Sequence, residues 1–182
     1  ELYCSGDAAH GVQTAAYNLP NDERINKEKG TKRVMLKNVQ EAKFKVMLVP
    51  IAKIALSPAD QKNVAFDAFF THILMHELMH GLGPHNISVG GRATTPRQEL
   101  QETASAIEEA KADISGLWAL GYLIDKGVID KTMEKTLYPT YVAGMFRSVR
   151  FGLTEAHGKG TALQLNTFLD AGAVVVKNGV FT

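Results

Sequence analysis

The residues of this 182-residue chain best suited to chemistry stand together at His76-Glu77-Leu78-Met79-His80. Histidines four apart lie one turn apart on the same face of a helix, so both imidazoles can converge on one ion. Glu77 projects at the edge of that face, where its carboxylate reaches a water carried by the ion rather than the ion itself. The chemistry implied is hydrolysis by an activated water. A zinc ion lowers the pKa of water to about 7 and polarises a carbonyl, and a carboxylate takes the proton as general base. The plainer alternative makes His76 and His80 solvated or core-edge residues of an ordinary amphipathic helix.

A catalytic zinc takes three protein ligands and keeps a fourth position open. One candidate for the third ligand lies just downstream, where His80-Gly81-Leu82-Gly83-Pro84-His85 resembles a metzincin extension. That pattern needs a histidine at position 86, which is Asn86, and His85 falls one residue short. The other candidate is Glu108-Glu109-Ala110-Lys111-Ala112-Asp113, which could complete a His-His-Glu site as in thermolysin-like enzymes. If Glu108 closes a capping box on Ser105, Glu109 is left to bind metal. Asp113, one turn on, can then accept the second ring N–H of a ligand histidine and fix its tautomer. His72, His10 and His85 are read as structural or surface residues.

Two helices must carry these groups. Ser57-Pro58-Ala59-Asp60 has the composition of a helix start, and the spacing predicts one helix from there to His80, ended by Gly81, Gly83 and Pro84. Ser105-Ala106-Ile107-Glu108 predicts the start of a second, stopped by Gly127. Around them, 41–56 is helical in composition but should kink or break at Pro50. A stretch from Asp130 to about Val149 should be interrupted near Pro139, and a last helix should span 154–170. Ala173 to Phe181, with Asn178-Gly179 at its centre, predicts a small hairpin. Arg33 to Val39 reads as a short strand or helix entry, and Asn18-Leu19-Pro20-Asn21-Asp22 as turn or loop. The fold class is mainly α with minor β content, as a single domain over 1–182.

Composition removes several other functions. Formal net charge is +1, which offers no electrostatic argument for nucleic acid or an acidic membrane surface. No apolar run reaches the eighteen or so residues of a membrane helix. Cys4 is the only cysteine, so there is no internal disulfide and no cysteine-based metal site. A reducing, cytoplasmic setting is the expectation. The start at Glu1 suggests a piece of a longer protein.

The two motifs together, with Leu117-Trp118 following the second, resemble the dipeptidyl peptidase III family. That family couples a His-Glu helix to a Glu-Glu-x-Arg/Lys-Ala-Asp/Glu helix whose second Glu binds zinc, which implies Glu109 here. Ala16-Tyr17-Asn18-Leu19-Pro20-Asn21 is similar to the family's Gly-Ile-Asn-x-Pro-Asn segment, implying that Asn18 and Asn21 contact a peptide substrate. Ala156-His157 resembles the family's Ala-His segment, implying that His157 assists catalysis. There are departures. Members mostly carry His-Glu-x-x-Gly-His, whereas here Gly81 follows the second histidine. Thr161 stands where an arginine is common. Members are several times longer, with a second lobe and an upstream tyrosine-bearing segment, and some relatives fuse this domain to a Nudix hydrolase domain.

The expected activity is therefore zinc-dependent hydrolysis of peptide bonds, with the fold of a helical metallopeptidase catalytic lobe and the other lobe as partner. A catalytically silent zinc-binding regulatory or scaffold module is the main alternative. A metal-independent helical interaction domain is a further one.

Overall fold

In the computed structural model, residues 16–19, 28–30, 32–150 and 152–182 are described. Strands β1 (Ala16–Leu19) and β2 (Lys32–Met35) form an antiparallel pair. Helix α1 (Lys37–Lys43) passes through a π-helical turn (Phe44–Leu48) into α2 (Val49–Ala55). Then come α3 (Pro58–Gln61), α4 (Phe66–Met79), and the hairpin of β3 (Ile87–Val89) and β4 (Arg92–Thr94). Helix α5 (Pro96–Leu100) leads through a 3-10 turn (Gln101–Thr103) into α6 (Ala104–Asp125). A second 3-10 turn (Lys131–Met133) opens α7 (Glu134–Val149), followed by α8 (Ala156–Asp170) and the hairpin of β5 (Val176–Lys177) and β6 (Val180–Phe181). The mainly helical class with minor strand content is thus what is observed. The last hairpin also forms as expected, with Asn178 and Gly179 both at positive φ.

Four local expectations are corrected. The helix that starts at Ser57 does not run to His80. Ser57 caps α3 by accepting from the Asp60 backbone N–H, but α3 ends after one turn. Gln61 turns its amide back onto the Leu56 and Lys53 carbonyls, and the Ala65 N–H donates to Thr140 Oγ1 at 3.0 Å. These bonds hold a break from which α4 starts afresh at Phe66. Pro50 does not break its helix, because it sits in the first turn after the π-helical segment, where a missing N–H is tolerated. Pro139 does not interrupt α7 either. The carbonyl its ring leaves free belongs to exposed Lys135, where water can satisfy it. The capping box is real but lies at Thr95–Gln98, with both reciprocal hydrogen bonds formed, whereas Ser105 is already inside α6.

The core positions the site. Leu48, Leu56, Phe69 and Ala143 form one buried cluster, roofed by Phe44, Phe66 and Phe181. Leu120, Ile124 and Leu137 form a second, closed by Met75 and Leu117. Phe181 of the last hairpin stacks near Phe146 (centroids 4.5 Å apart), and its carbonyl accepts from the Ser57 N–H at 2.8 Å. Between the clusters α6 lies against α4, with the small residues Ala112, Gly116 and Ala119 buried on its inner side. A Cβ on Gly116 would stand 3.1 Å from the His76 backbone nitrogen. Glycine there is what lets the two helices come this close.

Candidate metal centre

His76 and His80 project from the last turn of α4, and Glu109 from the second turn of α6. His76 Nε2 and His80 Nε2 are 3.0 Å apart, Glu109 Oε2 is 3.3 Å from the first and 3.8 Å from the second. Four tetrahedral bonds of about 2.0–2.1 Å put ligand atoms about 3.3 Å apart, so the triangle has the size a zinc ion requires. Its three ligand atoms form the one potential metal-binding group among the described residues.

Hydrogen bonding decides which atoms face inward. His76 Nδ1 lies 2.8 Å from Asp113 Oδ1, and His80 Nδ1 lies 3.0 Å from Glu108 Oε1. Each Nδ1–H donates to a carboxylate, which turns each Nε2 inward, where its lone pair is available to a metal ion that displaces any proton there. Two bare nitrogens 3.0 Å apart repel unless a cation or a proton lies between them. Glu109 Oε2 is buried and has no partner in hydrogen-bond geometry. The donor set, two imidazoles and one carboxylate with lone pairs converging, fits zinc.

Electrostatics agree. Burial disfavours the charged form of His76, but the carboxylates of Asp113 and Glu109 outweigh it and raise its pKa to about 10. Burial also opposes ionisation of Glu109 and Asp113, yet the neighbouring histidines hold both carboxyls below their usual range. His72 is different. Burial pushes its pKa down, and its Nε2–H donates to the Asp113 backbone carbonyl at 3.1 Å. It is a neutral structural histidine, as expected, and His85 is exposed.

The sequence reading missed several supporting residues. Gln164 on α8 donates to Asp113 Oδ2 at 3.0 Å and in turn accepts from the Tyr141 hydroxyl. This buried chain fixes the Asp113 carboxylate, and nothing in local spacing could reveal it because it joins three helices. Glu108, assigned to a capping box, instead holds His80 and also pairs with Lys111 at 2.7 Å. Lys111 reaches on to the Leu82 carbonyl and pins the end of the motif helix.

The remaining candidates divide. His157 is brought to the centre: its Nε2 is 3.1 Å from Glu109 Oε2, and its ring stacks 6.2 Å from that of His76. Its helix approaches α6 through Gly160, where a Cβ would lie 2.9 Å from the Ala106 carbonyl. Glu77, His76 and His157 share the wall of a pocket of about 370 Å³. Asn18 is not in a loop but in β1, opposite Arg33 of β2. Ala16 of the same strand does line the pocket. Asn21 and His10 lie outside the described residues.

No family model matches the chain. The dipeptidyl-peptidase III of Corallococcus sp. strain EGB superposes with a TM-score of 0.89 at 70% identity, over 99% of this chain and 34% of that one. This chain is similar to dipeptidyl-peptidase III over about a third of that protein's length. The dipeptidyl-peptidase III of Caldithrix abyssi superposes with a TM-score of 0.93 at 48% identity, over 98% of this chain and 34% of that structure. A protein of Arabidopsis thaliana called Nudix hydrolase 3 is 59% identical over 175 residues, 96% of this chain and 22% of that protein. The dipeptidyl-peptidase III resemblance and the expected existence of Nudix-named relatives both hold. The chain spans about a third of the length of the solved structures and about a fifth of the plant protein. No described helix is long and apolar enough to cross a membrane.

Proposed function

We propose that this chain carries the zinc site and the water-activating carboxylate of a peptidase of dipeptidyl-peptidase III type, acting as the helical catalytic lobe of a longer, cytoplasmic protein. The observation that supports the reading is the pair of Nε2 atoms 3.0 Å apart beside Glu109 Oε2, three ligand atoms close enough to share one ion. His76, His80 and Glu109 would hold zinc, and Asp113 and Glu108 would keep the two rings in the tautomer that binds it. Bound zinc supplies Lewis acidity, lowering the pKa of water to about 7 and polarising the scissile carbonyl. Glu77 takes the proton of the attacking water and later delivers it to the leaving amine. His157, exposed at the pocket mouth, offers an N–H to the oxygen on which negative charge develops. Asn18 and Asn21 would hold the backbone or N-terminus of the peptide, on a segment that leads into the pocket at Ala16.

The test uses the full-length protein that contains this chain. Bound zinc is measured by elemental analysis, and dipeptide release from short peptides is assayed for the wild type and Glu77→Gln. One zinc per chain is expected in both, with turnover in the wild type alone. Failure to hold zinc after supplementation would remove the site assignment. Zinc without turnover in either protein would favour a silent zinc-binding module.

A further inference from the structure

Asp113 of α6 is held by several hydrogen bonds at once. Its Oδ1 accepts from His76 Nδ1–H at 2.8 Å, and its Oδ2 accepts from the Gln164 amide of α8 at 3.0 Å. Its backbone carbonyl accepts from His72 of α4 at 3.1 Å. Behind Gln164 stands Tyr141 of α7, whose hydroxyl donates to Gln164 Oε1. Gln164 and Tyr141 are both buried, so neither can trade its partner for bulk water.

A primary amide has nearly the same shape at both ends, but one end only accepts and the other only donates. Turned one way, Gln164 gives Asp113 an N–H. Turned the other way, it sets a carbonyl oxygen against a carboxylate. Tyr141 removes the second choice. Burial, and then the charge of Asp113, raise the pKa of its hydroxyl, which keeps its proton and offers it as a donor. Oε1 accepts that hydrogen bond, and Nε2 is left for Asp113 Oδ2. The polarity then runs one way through the interior, from hydroxyl to amide to carboxylate, and the carboxylate faces the His76 ring. The ring of Tyr141 has contacts of its own, edge-on to His72 with centroids 4.7 Å apart and to Phe168 of α8 at 6.4 Å. Tyr141→Phe keeps both and removes the hydroxyl alone.

We propose that Tyr141 is a positioning residue for the metal centre, acting through the Gln164 amide and the Asp113 carboxylate on the His76 ring. By fixing the direction of the amide, its hydroxyl holds Asp113 on His76 Nδ1 and keeps His76 Nε2 aimed at His80 Nε2 and Glu109 Oε2, 3.0 and 3.3 Å away. The inference rests on the zinc reading above. It places control of one ligand on α7, a helix that supplies none of the three.

The experiment uses the full-length protein as wild type, Tyr141→Phe, Gln164→Met and the double variant, with zinc affinity measured by competition with a chelator. Tyr141→Phe should bind zinc about threefold to tenfold more weakly, the effect of one hydrogen bond. Gln164→Met, which takes the amide donor from Asp113 Oδ2, should lose about tenfold to a hundredfold. If the hydroxyl acts through the amide, Tyr141→Phe should change affinity by less than about twofold in the Gln164→Met background. A merely structural hydroxyl would weaken both backgrounds alike, and that additive result overturns the proposal. Unchanged zinc affinity in Tyr141→Phe overturns it too. A Tyr141→Phe chain that fails to fold makes the hydroxyl a folding element, which also overturns it. Should Gln164→Met not fold, Gln164→Leu replaces it under the same criteria. If the wild type holds no zinc, the zinc reading has failed. Positioning is then read from the His76 Nδ1–H proton resonance of the metal-free protein, identified by its absence from His76→Gln. Faster exchange of that proton with solvent in Tyr141→Phe supports the proposal, and an unchanged rate overturns it.

Discussion

Glu109 Oε2 faces ring nitrogens of His76, His157 and His80 at 3.1–3.8 Å without a hydrogen bond of good geometry to any. Such an arrangement could hold a metal ion, and the proposed zinc site yields predictions about single residues. Glu77→Gln should retain zinc while kcat falls by about a hundredfold to ten-thousandfold, the range for losing a general base. Asp113→Asn should weaken zinc binding by about tenfold to a hundredfold, as an equilibrium competition with a chelator would measure. The pH dependence follows from His76. In chelated protein its folded pKa is about 10 against 6.5 for an ordinary histidine, so the folded state holds a proton that the unfolded chain releases. That stabilisation is fully present below 6.5 and is lost as pH rises through about 10. Zinc must displace the same proton, so affinity should climb by about tenfold per pH unit between pH 7 and 9. A flat profile there would contradict the assigned proton. At this scale His76, Glu77 and His80 were legible because a four-residue spacing on a helix is local information. Gln164 and Tyr141 were not, because their roles exist only once α7 and α8 are packed against α6.

Helices α4, α6 and α8 come together through glycines, and that is where element-level sensitivity concentrates. Gly160→Ala would push its methyl to 2.9 Å from the Ala106 carbonyl and 3.2 Å from the Ala110 nitrogen, both rigid backbone. The variant should lose about 1–3 kcal/mol in denaturant melts and hold zinc less tightly, since the strain falls beside Glu109. An unchanged melt would mean that α8 shifts freely. Element boundaries were read less well than the overall helical class. The capping-box signature fits both Ser105–Glu108 and Thr95–Gln98, and only the sharp turn at Gln101, at φ 49°, separates α5 from α6 and selects the second. Pro50 and Pro139 were overweighted, because a π-helical turn and an exposed preceding turn absorb what a proline removes.

For the molecule as a whole, zinc held by His76, His80 and Glu109 would cross-link α4 to α6 and should raise stability by mass action. At a free concentration a thousandfold above Kd the gain is about 4.1 kcal/mol, so chelation should lower Tm in a scan of the full-length protein. Leu120→Ala, at a fully buried position away from the ligands, should cost about 2–5 kcal/mol with and without chelator. An equal response of Tm to chelator in His80→Ala would break the link between metal and fold. The helical class was legible from periodicity and turn residues. What the sequence could not show is the packing direction of α6, whose Trp118 and Tyr122 stack on each other at the surface, 5.5 Å apart, while the side bearing Ala112 and Gly116 turns inward.

The hairpin of β3 and β4 lies in the segment between His80 and Glu109, and its tip is Gly90-Gly91, both at positive φ and both exposed. The ligands on either side are held by their own helices, so this tip can lengthen without moving them. Closure entropy rises by only about 0.6 kcal/mol for each doubling of a flexible loop. That makes the tip a natural port, where a peptide tag or a fluorophore could be inserted to report on the site from outside without entering its coordination sphere.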